Sequence, residues 1–318
     1  MQRYHGNPDA IRSLVRDDSI HRDLYIDPDL FDAEMQQLWR TAWIYVGHDS
    51  QVPEVGDFFT TQVGREPVIL LRGSDNAVRV LHNRCAHKGT KVLSAREGKC
   101  FGGVLRCPYH GWTYRLDGTV RAVPLQSGYD GSALEASITT QKLGEMVSHS
   151  YRGFVFARAS AAGADFEQYF GESLSSIDNL VERSPEGRLE VAGGVLRYLH
   201  GCNWKIFVEN LNDAMHPMVT HQSSAGTAKR VWQGQPQDTP VPMVVEQFAP
   251  FVNGYDFFDK MGVRIFENGH SYTGVHFSIH SKYAGVSDYE KRMQAAYGAE
   301  RAREILGEAR HNTVYYRA

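Results

Sequence analysis

Two short loops constrain this chain more than any other feature. They read Cys85-Ala-His87-Lys-Gly89 and Cys107-Pro-Tyr-His110-Gly-Trp112, and each carries one thiol and one imidazole. Zinc fingers usually group like ligands, a Cys pair followed by a His pair. A mixed pair on each of two loops suits a binuclear [2Fe–2S] centre, with two thiolates on one iron and two imidazoles on the other. Gly89 and Gly111 follow the ligand segments, where a backbone without Cβ can turn tightly and expose its amides. Pro108 stiffens the second loop. A structural zinc with mixed ligands is the competing reading of the same four residues. Cys100 and Cys202 read as inert small residues, and His82 as a polar residue at a strand end. Four cysteines among 318 residues are too few for a disulfide scaffold.

The surroundings of the loops are β-rich. Runs at Phe58–Val63, Val68–Leu71 and Ala77–Leu81 predict strands, and Gly73-Ser-Asp-Asn76 predicts a hairpin turn between two of them. Upstream, Asp27-Pro28 predicts a helix start, with Leu30, Phe31, Met35, Leu38 and Trp39 following at helical spacing. Residues 158–166 are small and polar and make the expected linker. Three parts result: a helical segment over 1–42 expected to pack on the catalytic domain, an all-β domain over 43–158, and a mixed domain over 165–318. In the last part Trp204–Met215 predicts a helix, and Val263–Phe266 with Ser271–Ile279 around Asn268-Gly269 predicts a hairpin with a type I′ turn. Asp288–Ala309 predicts one amphipathic helix, and Asn312–Tyr316 the start of a strand.

A second constellation lies in NWKIFVENLNDAMHPMVTHQ. Asn203 suits an N-cap, and Glu209, Asp213 and His216 fall at i, i+4 and i+7, so one helical face would carry all three. On a straight helix His216 and His221 would stand roughly 140° apart. Pro217 lies between them; its ring and missing N–H force a kink or an end, after which His221 can swing back towards His216. Two imidazoles plus a carboxylate would form the facial triad of a non-haem Fe(II) oxygenase. Taken alone, the segment equally fits a helix end with one core and one exposed histidine.

With the two loops upstream, the sequence is similar to a known family. CAHKG and CPYHGWTYRLDG resemble the two ligand boxes of the Rieske domain. Together with the second constellation, in that order, they resemble the α subunit of Rieske non-haem iron oxygenases, the aromatic-ring-hydroxylating family, over roughly residues 25–318. The resemblance implies an α+β architecture: a small all-β Rieske domain, then an antiparallel sheet with helices in a helix-grip-like catalytic domain. It implies a [2Fe–2S] cluster on Cys85, His87, Cys107 and His110, and a mononuclear Fe(II) on His216 and His221. Asp213 matches the family's bridging aspartate, expected to contact His216 and, in a neighbouring subunit, His110; Glu209 could tune the same network. The third, carboxylate ligand of the family lies far downstream and at matching spacing would fall beyond residue 318. Asp238, Asp256, Asp259 and Asp288 sit in no matching context, so the ligand is unassigned and the catalytic domain is expected to be incomplete. The implied activity is cis-dihydroxylation of an aromatic substrate. Electrons would come from NAD(P)H through a flavin reductase or ferredoxin, within an α3 or α3β3 oligomer. A Rieske monooxygenase or demethylase, and a chain in which only the electron-transfer cluster works, are the alternatives.

Composition narrows the field. Hydrophobic residues make up 42% and charged residues 22%, which excludes a largely disordered chain. A net charge of -3 offers no basic field for nucleic acid. No apolar run reaches the length of a membrane span, and the first residues lack the apolar core of a signal peptide, so a cytoplasmic location is expected. Phe248, Phe251, Tyr255, Phe257, Phe258 and Phe266 suggest an apolar pocket or simply a core. Lys229, Arg230 and Arg264 are candidates to meet a substrate carboxylate, with solvated surface as the alternative.

Overall fold

The computed structural model describes residues 4, 6–213, 215–236, 239, 255, 256, 259, 262–276, 285–308 and 310–314. The chain divides into two compact units, Met1–Phe166 with Glu190–Tyr198, and Glu167–Leu189 with Leu199–Ala318.

The first unit is built on ten strands: β1 (Ile44–His48), β2 (Asp57–Val63), β3 (Glu66–Arg72), β4 (Val78–His82), β5 (Glu97–Lys99), β6 (Val104–Arg106), β7 (Thr113–Arg115), β8 (Val120–Ala122), β9 (Val147–Tyr151) and β10 (Phe154–Arg158). They form three antiparallel sheets in the orders β4-β3-β2-β5, β1-β10-β9 and β6-β7-β8. The unbroken apolar run Val68-Ile-Leu-Leu71 shows why the sheets come together. All four residues are 0% exposed. Successive side chains on a strand point to opposite faces, so Ile69 and Leu71 enter one core with Phe58, Leu81 and Trp112. Val68 and Leu70 enter the other, with Phe59, Val80 and Val155. A strand covered on both faces has no reason to alternate polar and apolar residues. The first core also contains Cys85 and Cys107.

The expected turn forms: Asn76 sits at φ 65°, with its N–H on the Gly73 carbonyl. The expected helix α1 runs over Pro28–Gln36, where the Asp27 carboxylate accepts from the N–H groups of Asp29 and Leu30. Residues 1–42 fall within the first unit. There Arg65 of the β2–β3 turn pairs with Asp32 at 2.6 Å and lies over Phe31. The linker is tied down at its end, where Trp43 Nε1 donates to the Ala164 carbonyl.

In the second unit, α2 (Trp204–Asn212), α3 (Pro217–Thr220) and α4 (Gln222–Gln233) follow one another. Strands β11 (Val263–Ile265), β12 (Ser271–His276) and β13 (Arg310–Val314) make an antiparallel sheet with β12 in the middle. The hairpin is as expected, but its loop is the three residues Glu267–Gly269, closed by the Phe266 N–H on the His270 carbonyl. Asn268 and Gly269 both take positive φ, at 60° and 75°. The single helix expected over 288–309 is two, α5 (Val286–Tyr297) and α6 (Ala299–Gly307). Gly298 divides them at φ 81°, a left-handed conformation that ends a helix at low cost only with glycine. Met293, Ala302 and Ile305 then pack into one small core. Residues 277–279 and 315–316, expected in strands, lie outside the described residues, as do Phe248, Phe251, Phe257 and Phe258.

Candidate metal centres

The first ligand loop joins β4 to β5, and the second joins β6 to β7. Their backbones close alike. The Cys85 carbonyl accepts from the Gly89 N–H at 2.8 Å and the Cys85 N–H donates to the Thr90 carbonyl at 2.9 Å. The Cys107 carbonyl accepts from the Gly111 N–H at 3.1 Å and the Cys107 N–H donates to the Trp112 carbonyl at 2.8 Å. Gly89 and Gly111 sit at φ 71° and 72°, so both glycines are required by conformation. A Cβ on Gly111 would also stand 3.2 Å from Pro124 Cγ.

The loops sort their donors by type. The Cys85 and Cys107 thiols are both buried in the same core; burial, above all, pushes the Cys85 thiol up. The His87 and His110 rings face each other at 4.7 Å between centroids. His87 stacks on Trp112 at 5.1 Å with a 2° interplanar angle, and Tyr109 covers His110 at 3.7 Å. Burial holds His87 below the ordinary histidine range. Its Nδ1 is buried without a hydrogen-bond partner. A thiol pair beside an imidazole pair with an orphaned ring nitrogen fits a two-iron, two-sulfide group. Cys100 is buried outside this arrangement, its thiol pushed up to about 11 by burial.

In the second constellation the helix ends earlier than expected. α2 stops at Asn212, and Asp213 is extended at φ -81°, ψ 103°. Asp213 breaks the ladder, and Pro217, which has no N–H for the Asp213 carbonyl, opens α3 as its first residue. Glu209, Asp213 and His216 therefore do not share a helical face. The Asp213 carboxylate caps the next turn instead, accepting from the Met215 N–H at 2.7 Å and the His216 N–H at 3.2 Å. These bonds hold its carboxyl below the usual carboxylate range. Its other oxygen lies 3.3 Å from His216 Nδ1, off the hydrogen-bond axis. The break brings the His216 and His221 rings to 5.5 Å between centroids. Among the described residues no third His, Cys, Asp or Glu completes a metal-holding group with them; Asp238 lies outside the described residues. The two imidazoles thus fit part of a mononuclear site. Arg264, a candidate for a substrate carboxylate, pairs with Glu172 at 3.0 Å, while Lys229 and Arg230 are exposed.

Residues 42–139 match the Rieske [2Fe-2S] domain. Over 98% of its length the chain is 32% identical to the toluate 1,2-dioxygenase α subunit of Pseudomonas putida, covering 67% of that protein. The chain belongs to the Rieske dioxygenase α-subunit family. It is also 33% identical to the anthranilate 1,2-dioxygenase large subunit of Acinetobacter baylyi over 66% of this chain and 44% of that one. The matched part of this Rieske family member covers less than half the length of the second relative. Its fold matches naphthalene 1,2-dioxygenase from Rhodococcus sp., with a TM-score of 0.70 over 97% of this chain and 66% of the other, at 23% identity. The family implies a Rieske cluster and a mononuclear Fe(II). Among the described residues no helix of this family member is long and apolar enough to cross a membrane.

Two residues around the Rieske site have roles that the sequence does not reveal. Tyr114 is fully buried; its hydroxyl lies 3.0 Å from Cys85 Sγ and accepts from the Ala86 N–H at 3.0 Å. Asn83 is 1% exposed. Its side chain accepts from the Val92 and Leu93 N–H groups and donates to the Leu93 carbonyl, closing the base of the first loop. The pairing of Tyr114 with a ligand cysteine 29 positions away is visible only in three dimensions.

Proposed function

We propose that this chain is the oxygenase component of a multicomponent ring-hydroxylating dioxygenase, acting on an aromatic acid to give a cis-dihydrodiol. The observation that carries the reading is the burial of Cys85 and Cys107 in one core beside the facing His87 and His110 rings, on the same chain as the His216–His221 pair. Cys85 and Cys107 would hold one iron of the cluster and His87 and His110 the other. His216 and His221 would hold the mononuclear iron, its carboxylate ligand lying outside the described residues. Such centres supply single electrons and O₂ activation when bound. Asp213 fixes the turn that presents His216, and we assign it the coupling of the two centres between neighbouring subunits. Trp112 and Tyr109 flank the imidazoles and limit the orientations of both rings. An acid substrate is supported by the names of the two sequence relatives, since toluate and anthranilate are both aromatic carboxylates. The electron donor would be a ferredoxin or reductase drawing on NAD(P)H, and the assembly a ring of α subunits in the cytoplasm.

The test is iron and acid-labile sulfide analysis with EPR of the reduced protein, then product analysis under labelled O₂. About three irons per chain with two sulfides are expected, and both labelled atoms in one product. Two irons alone would leave only the electron carrier. One labelled atom in the product would make the chain a monooxygenase.

A further inference from the structure

The paired ligand loops have two sides. On the imidazole side His110 and Tyr109 are exposed. On the thiol side a cleft of about 600 Å³ reaches Cys85 and Ala86. Its walls come from residues 35–40, the β2–β3 turn, the start of the first ligand loop and residues 142–144. Four cations line it, Arg40, Arg65, Arg84 and Lys142, against one carboxylate, Glu66. All four cations are exposed. Arg65 is balanced by Asp32 at 2.6 Å, and Arg84 lies 3.6 Å from Glu66. Arg40 and Lys142 have no ion-pair partner among the described residues, so the mouth carries surplus positive charge on a protein of net charge -3.

Resting on the function proposed above, we propose that this cleft receives the acidic face of the electron donor, a one-electron iron–sulfur carrier of the ferredoxin class. Electrons then arrive beside Cys85, and the imidazole side stays free for onward transfer. Complementary surface charge steers encounter and fixes orientation. A small anion would fit the volume, but the cations stand on separate chain segments with exposed heads and do not converge on one buried point, as a small-molecule site needs. Carboxylates spread over a protein face match that layout. In the step itself one electron leaves the reduced carrier, which is oxidised, and the centre held by the four ligands is reduced by one; no bond or proton is exchanged.

The test uses the full chain with its cluster and the double variant Arg40→Glu/Lys142→Glu. Stopped-flow bleaching is followed with a reduced acidic [2Fe–2S] ferredoxin, and separately with photoreduced deazariboflavin, a small neutral reductant. At low salt the ferredoxin rate constant should fall about 10-fold or more, with the difference shrinking at high salt. The deazariboflavin rate, the EPR spectrum and the oligomer mass should not change, and Arg40→Gln/Lys142→Gln should fall between parent and reversal. Equal ferredoxin rates in parent and reversal would overturn the proposal. So would loss of the oligomer in the variants, which would make the cleft a subunit interface, or displacement of ferredoxin by benzoate at unchanged ionic strength. A parent with no reducible cluster would sink the proposed function as well; clusters reducible in every variant with equal ferredoxin rates confine the failure to the cleft.

Discussion

Tyr114→Phe removes one oxygen from the core and leaves the ring in place. In the parent the Ala86 N–H fills an acceptor position of the hydroxyl, so its proton is free to point at Cys85 Sγ, 3.0 Å away. A thiolate bound to iron has no proton to give, so in the loaded protein the hydroxyl must be the donor. Hydrogen bonds to charged groups are worth about 1.5–3 kcal/mol. The sulfur is more negative in the reduced cluster, so the bond strengthens on reduction and raises the potential. If roughly 1 kcal/mol of that bond is specific to the reduced state, the potential of the variant falls by about 40 mV, since a tenfold change in a one-electron equilibrium is about 59 mV. The Ala86 N–H also loses its acceptor, which costs about 1–3 kcal/mol of stability if water does not replace it. The assay is a spectroelectrochemical titration of the Rieske absorbance, with iron and sulfide content measured on the same sample. A potential unchanged or raised, at full cluster occupancy, would refute the assigned direction of the hydrogen bond.

Three further outcomes are expected. Asn83→Ala deletes the three hydrogen bonds that close the first ligand loop; a loss of about 2–4 kcal/mol is expected in denaturant melts, with faster iron loss to a chelator, and a parent-like midpoint would remove Asn83 from the loop's support. His270 is 0% exposed, and burial lowers its pKa to about 4. Its neutral form is therefore the folded one, and stability is present above the unfolded value near 6.5 and lost as pH falls towards 4, by at most about 3 kcal/mol. His270→Gln should flatten the urea midpoint across that window, and equal slopes in parent and variant would contradict the assignment. Asp213→Asn keeps an oxygen to accept from Met215 and His216 but removes the charge beside His216 Nδ1. Both metals should stay bound while electron transfer between the centres slows roughly 10–100-fold in single-turnover EPR; undiminished transfer would contradict the coupling role.

Legibility in the sequence followed the range of the interaction. The ligand loops could be read because each holds two chemically distinctive residues and a glycine within a few positions, and the Asp27 cap and the Gly73–Asn76 turn are equally local. Val68–Leu71 could be read as a strand, but its double burial emerges only when two cores are built on it. The contacts of Tyr114 with Cys85 and Ala86, and of Asn83 with Val92 and Leu93, leave no period in the sequence. Glu190–Tyr198 shows the same limit: it returns to the first unit through a Val191 N–H on Ser50 Oγ and Arg197 over Phe59, contacts that mark no element. Asp213 was legible as a residue but not as a geometry. Its identity and its distance from His216 suggested a shared helical face, and the neighbouring proline suggested a break, but placing that break meant deciding which backbone bond fails. The Met215 and His216 N–H groups leave the ladder for the Asp213 carboxylate, ahead of the bond that Pro217 cannot make, so the chain turns at Asp213 itself and the carboxylate caps the turn that follows. That cap ties the histidine's backbone to the acid's side chain. A substitution at Asp213 therefore perturbs the position of His216 as well as its charge, and only a pair of variants, Asn against Ala, can separate the two effects.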